Sequence, residues 1–137
     1  MASNTEILKA ALAAWNRGDL DAYLTLYDAS IKLYGYAPEP MDKAALSDFY
    51  RYAIWGAFPN PQLELHDVLE IGDKVVARAT LTGQHKGPFM GVPATGAPIA
   101  IPTITILRFK DGKCVERWSQ ADMLGAMVQV GAIPAPA

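Results

Sequence analysis

Residues 63–84, LELHDVLEIGDKVVARATLTGQ, decide the fold class. Leu63–Ile71 and Lys74–Gln84 are strand-like runs, and Gly72-Asp73 between them supplies a tight hairpin turn. In the second run Val75, Ala77, Ala79 and Leu81 form one apolar parity, against Val76, Arg78, Thr80 and Thr82 on the other. In the first, Leu63, Leu65, Leu69 and Ile71 stand opposite Glu64, His66 and Glu70, which puts His66 on the surface. The arrangement recurs downstream, where Ile99–Phe109 and Lys113–Ala121 flank Asp111-Gly112. Four antiparallel strands in a row follow. Between the hairpins, residues 86–97 carry Gly87, Pro88, Gly91, Pro93 and Gly96 and read as a long loop, a feature often functional in a small domain.

Upstream the period changes to that of helices. Ile7, Leu8, Ala11, Leu12 and Trp15 form the stripe of an amphipathic helix over residues 5–16, with Ser3 as its cap. Gly18 ends it. Asp19 can cap a second, short helix whose inward face is Leu20, Tyr23, Leu24 and Tyr27, and Asp42 a third through Ala45, Leu46, Phe49 and Ala53. Between these two, Ser30–Tyr36 alternates as a short strand, and Leu124–Val130 forms a last helical turn or two. Helices followed by a strand meander indicate an α+β domain in which helices cover one face of a curved antiparallel sheet, leaving an apolar pocket where the cover is incomplete.

The chain is 137 residues long, one domain's worth, so residues 1–137 are expected to form a single unit. Twelve basic against fourteen acidic residues leave no excess charge for a phosphate backbone or an anionic membrane, so neither nucleic acid nor a membrane is an expected partner. The lone Cys114 can close no intrachain disulfide, and the start of the chain lacks the basic and apolar regions of a signal peptide; both fit a cytoplasmic protein. Two distant histidines offer no metal-ligand spacing, and neither a nucleophile elbow nor a phosphate loop occurs. A reaction without metal or cofactor suits this inventory.

The block from Gly72 to Pro134 carries a resemblance. Gly72-Asp73-Lys74-Val75-Val76-Ala77-Arg78-Ala79-Thr80, then Thr82-Gly83-Gln84-His85-Lys86-Gly87-Pro88-Phe89-Met90-Gly91-Val92-Pro93, resemble the SnoaL-like polyketide cyclase and ester cyclase family. Val115-Glu116-Arg117-Trp118, Asp122-Met123-Leu124-Gly125 and Gly131-Ala132-Ile133-Pro134 continue the pattern in order, and Trp15-Asn16-Arg17-Gly18-Asp19 follows it more loosely. The resemblance implies a nuclear transport factor 2-like cone, a curved antiparallel sheet wrapped on three N-terminal helices. It also implies cofactor-independent, aldol-type ring closure on a small apolar carbonyl substrate.

In the family the acid-base residue is an aspartate near the end of the last strand, and Asp122 is the position that resembles it. In a regular strand Glu116, Trp118, Gln120 and Asp122 share a face, the better candidate for a reactive wall because the opposite parity, Val115, Arg117, Ser119 and Ala121, holds no acid. A carboxylate in an apolar pocket is a usable base near neutrality; the alternative is that Asp122 caps the helix after it. His85 shares the apolar parity of its strand and can donate to a developing enolate at the cavity mouth, unless a backbone group satisfies it; Gln120 is a second oxyanion partner. Trp15, Tyr34, Phe49, Tyr52, Trp55, Met90 and Trp118 are the expected substrate-binding surface, with plain core packing the alternative for Trp15. Arg108 can pair with Glu116, which would make Glu116 structural.

Many relatives carry an acid right after the tryptophan where this chain has Ser119-Gln120, which weakens a hydrolase reading. A non-catalytic small-molecule binder on the same cone, or an isomerase, remains the alternative to a cyclase. The outward parity of the long strands, Val76, Arg78, Thr80 and Thr82 with Ile104 and Ile106, suggests a homodimer through the sheet.

Overall fold

A computed structural model describes residues 2–135. The elements run α1 (Asn4–Asn16), α2 (Leu20–Leu24), β1 (Tyr27–Tyr34), α3 (Lys43–Asp48), a π-helical stretch (Phe49–Ile54), β2 (Gln62–Ile71), β3 (Lys74–Gln84), β4 (Pro98–Lys110), β5 (Lys113–Ala121) and α4 (Met123–Gln129). The helix starts use the caps the sequence offers. Ser3 Oγ accepts from the Glu6 amide at 3.1 Å, Asp19 from Ala22 at 3.0 Å and Asp42 from Ala45 at 2.9 Å. The third helix widens from Phe49 into π-turns, and Phe49, Tyr50, Ala53 and Ile54 of that stretch all face the interior cavity described below.

The five strands lie in the order β1-β5-β4-β3-β2. β2 to β5 form the expected antiparallel meander, and the Asp111-Gly112 turn has both residues in the left-handed region, at φ 51° and 77°. The sheet as a whole is mixed. β1 joins the outer edge of β5 in parallel, with Lys32 opposite Glu116 and Tyr34 opposite Trp118. A hairpin forces antiparallel pairing only between strands it connects, and the whole meander separates β1 from β5.

Two one-residue bulges break the simple alternation. In β5, Lys110 pairs with Lys113 and Phe109 with Cys114, but Arg108 then pairs with Glu116, so Val115 is extra. Beyond it Arg117 stands opposite Leu107 and Ser119 opposite Thr105, both interior positions. In β2, Leu65 pairs with Ala79 but Asp67 with Arg78, so His66 is extra. Val68 then turns inward, and Leu69 and Ile71 turn outward, 60% and 72% exposed. Both corrections to the expected facing, Arg117/Ser119 inward and Leu69/Ile71 outward, come from these single insertions.

The core lies between helices and sheet, with Leu8, Ala11 and Trp15 of α1 buried together with Val75, Ala77, Leu81, Ile101 and Leu107 of the sheet. Asn16 ties the end of α1 to the start of β2, its Oδ1 accepting from Leu63 N at 2.7 Å and its Nδ2 donating to Leu63 O at 2.9 Å. Gln129 ties α4 to β4 in the same two-bond manner through Ala100, at 2.7 and 2.9 Å. Among the described residues no helix is long and apolar enough to cross a membrane.

After β1 the chain runs so close to β5 that a Cβ on Gly35 would lie 2.0 Å from the Ser119 carbonyl oxygen, and Gly35 has φ 119°. Gly35→Ala is therefore expected to cost at least about 1–3 kcal/mol. Thermal denaturation checks this; an unchanged Tm would mean the two segments have room to separate.

Candidate active site

The helices cover one face of the sheet incompletely and leave a cavity of about 290 Å³. Trp15 of α1, Tyr23 of α2, Phe49 and Tyr50 of the π-helical stretch, Ile101 of β4 and Arg117 of β5 line it. Pro88, Phe89 and Met90 of the long loop complete the wall, and Met90, 68% exposed, marks the mouth. Trp15, Tyr23 and Tyr50 pack edge to face, with ring centroids 4.9 to 5.6 Å apart. No carboxylate is among the residues lining the cavity.

The one charged group in this wall is the Arg117 guanidinium. Its Nε donates to Thr105 Oγ1 at 2.9 Å and Ser119 Oγ at 3.0 Å. Its Nη1 donates to Tyr23 Oη at 2.9 Å and to Tyr27 Oη, and the two phenols are bonded to each other at 2.6 Å. Nη2 makes no hydrogen bond to another described residue, and none of the ion pairs among the described residues includes Arg117. Burial pushes the Tyr27 phenol well above its usual range, with Arg117 opposing, and burial also raises Tyr50 and Tyr36. These phenols stay neutral around pH 7, so the cation has no anionic partner. Two further donors, Trp15 Nε1 and Tyr50 Oη, are shielded from solvent and lack a hydrogen-bond partner. Cys114 is no nucleophile; burial pushes its thiol up to about 12.

Of the expected site residues, Trp15, Phe49 and Met90 line the cavity. The others lie elsewhere. Asp122 is exposed, and its Oδ1 accepts from the Gly125 amide at 2.8 Å as the cap of α4. Its carboxylate folds so closely over Gly125 that a Cβ there would lie 2.2 Å from Oδ2; the glycine three residues on was the available sign of a cap. Gln120 is exposed opposite Ile104 on the outer face, and Trp118 stacks there on Tyr34, centroids 5.9 Å apart at 9°. The Val115 bulge explains these three, since it turns Trp118 and Gln120 away from the interior and leaves Tyr34 beside Trp118. Tyr52 is 70% exposed, and Trp55 packs edge-on against Trp15 from outside the cavity lining. His85 does point inward but is fully buried behind the lining, between Phe58 and Phe89. Its Nδ1 lies 3.0 Å from Thr95 Oγ1 and accepts from the Thr95 amide at 3.3 Å, which knots the ends of the loop, and its Nε2 has no partner. Glu116 accepts from Arg108 Nε at 2.7 Å on the outer face, the structural pairing expected of it.

In a regular β5 Arg117 lies on the parity opposite the expected reactive wall, and the bulge at Val115 brings it inside. The interior pairing of Leu107 and Thr105 on β4 was the signal that could have found it.

The chain matches the model of the SnoaL-like polyketide cyclase family over residues 5–130. It is 25% identical over 134 residues to the aklanonic acid methyl ester cyclase DnrD of Streptomyces peucetius, covering 96% of this chain and 92% of that protein. Among solved structures it is similar to AclR, a candidate hydroxylase from Streptomyces galilaeus, at 31% identity and a TM-score of 0.88, over 98% of this chain and 84% of AclR. TsrD from Streptomyces laurentii follows at 29% and 0.80, over 94% and 95% of the two chains. The fold reached from the strand pattern and the match across nearly the whole described chain lead to one statement: this protein belongs to the SnoaL-like polyketide cyclase family.

Proposed function

We propose that the protein is a cofactor-independent, cyclase-type enzyme that promotes enolisation of a small apolar carbonyl substrate, the enolate carbon then closing a ring on a second carbonyl of the same molecule. The observation that carries this reading is a guanidinium in an apolar cavity with one nitrogen free and no carboxylate beside it. Such a group stabilises an oxyanion as it develops and needs no reorganisation to do so. The aromatic wall folds an apolar chain into a reactive pose, and a proton between two carbonyls is acidic enough that the protein need supply little more. Because the lining holds no acid, the base in this scheme stands at the rim. Asp122, between the lining residues Ala121 and Met123 in the chain, is the proposed group, and to act it must leave the Gly125 amide that it caps. DnrD is named as a cyclase and AclR as a candidate hydroxylase; hydroxylation at a carbon next to a carbonyl, given an oxidant, also begins from an enolate.

The acid-free lining favours a second reading, a non-catalytic small-molecule binder. One experiment separates the two. The enol–keto interconversion of benzoylacetone, followed by the enol absorbance, should be accelerated by the wild-type chain. Arg117→Met should lose about 10²–10³ of that acceleration. Asp122→Asn should lose about 10²–10⁴ while still binding the diketone. Binding without any acceleration would leave the binder.

The outer face of the sheet supports a further part of the proposal, a homodimer. Leu69, Val76, Ile106, Trp118 and Tyr34 are paired one to the next and form an apolar row across all five strands. Such a row against a second copy would bury what water now touches. Sedimentation velocity at micromolar concentration should give a dimer, and Ile106→Lys with Leu69→Lys should give a monomer; a wild-type monomer contradicts it.

A further inference from the structure

We infer that the cavity holds its ligand as an anion seated on Arg117 Nη2, either through a carboxylate or as the enolate that the proposed enolisation forms there, rather than as a neutral ester. The inference rests on the reading of this cavity as the substrate site and narrows its substrate class.

Two balances in the wall point the same way. The first is charge: the guanidinium is permanently protonated, and its contacts are hydroxyl oxygens of Tyr23, Tyr27, Thr105 and Ser119. Burying a cation without an opposite charge is costly, so a ligand that brings the charge gains what the protein withholds.

The second balance is of protons. Nη2, open to the cavity, offers two N–H groups with no acceptor among the described residues, while the unpartnered Trp15 Nε1 and Tyr50 Oη add no acceptor for them. Tyr23 and Tyr27 share one hydrogen bond between two hydroxyls while each accepts from Nη1, which leaves one phenolic proton over as well. The wall is therefore in surplus of donors and short of acceptors. A carboxylate or an enolate supplies several lone pairs and no proton, whereas an ester supplies fewer and weaker acceptors and no charge. DnrD is named for a methyl ester; this cavity fits the free acid or the enolate better. The volume of about 290 Å³ suits a compact ligand of about bicyclic size.

Calorimetric titration of the full chain at pH 8 with four probes tests this. 2-Naphthoate is compared with methyl 2-naphthoate, and 1,3-indandione, an enolate at that pH, with 1-indanone. At least one anion should bind tenfold or more tightly than its neutral counterpart, and which pair shows the preference tells carboxylate from enolate. Arg117→Met should erase the preference and Arg117→Lys should keep it; the lysine variant carries the comparison if the methionine variant does not fold. Equal binding within either pair of probes by the wild-type chain in both cases, or tighter binding of the neutral members, overturns the inference. Benzoylacetone turnover is read separately, so anion preference can fail with enolisation intact, and enolisation can fail with anion preference intact.

Discussion

One inserted residue, Val115, determines what the interior of this protein can do. Were Val115 paired in a regular ladder instead of bulged, Glu116, Trp118 and Gln120 would face Leu107, Thr105 and Thr103 across the hairpin, and the cavity wall would carry an acid. With the bulge, Arg117 and Ser119 take those inward positions and the acid goes outside to Arg108. The ladder is interrupted at one place only, and strand pairing resumes at Glu116. The rest of the site is arranged around the charge so admitted.

Placing a guanidinium there has a cost. Fully burying an ion costs several kcal/mol even after relaxation; Arg117 is half-buried and carries part of that, and hydrogen bonds to charged groups each return about 1.5–3 kcal/mol. Four hydroxyls supplied by α2, β1, β4 and β5 provide those bonds, which is why residues far apart in sequence converge on it. Gly35 belongs to the same arrangement, since a side chain there would push against the Ser119 backbone that holds the network. What the hydroxyls leave uncompensated is the charge itself and the Nη2 edge, and these are what a ligand meets.

The fold was legible in the sequence because its signals are local. The caps at Ser3, Asp19 and Asp42, the two hairpin turns and the apolar parity of β3 each depend on a few neighbouring residues, and each stands where the pattern put it. The site was legible only in part. Trp15, Phe49 and Met90 could be picked out as apolar surface beyond what a small core needs, but the polar wall could not, because facing along a strand is decided by its length from the turn. A bulge of one residue reverses it, and nothing in Val115 or His66 as residue types announces one. The parallel pairing of β1 was hidden for a similar reason: no hairpin links it to its partner. Asp122 shows the opposite case: an aspartate just before a helix is a local cap signal, the alternative the sequence held for it, and its carboxylate does cap α4.

The same physics shaped the outside. The bulge at His66 turns Leu69 out to meet Val76, so the apolar row on the outer face reaches the last strand. The central claim, however, concerns the inside: an unpaired cation that waits for an anionic ligand. A crystal structure of the complex with 2-naphthoate tests it most directly. The account requires a carboxylate oxygen about 2.7–2.9 Å from Arg117 Nη2, with the rings against Trp15 and Tyr50. A carboxylate turned out past Met90 into solvent, with the guanidinium still unaccompanied, would contradict it.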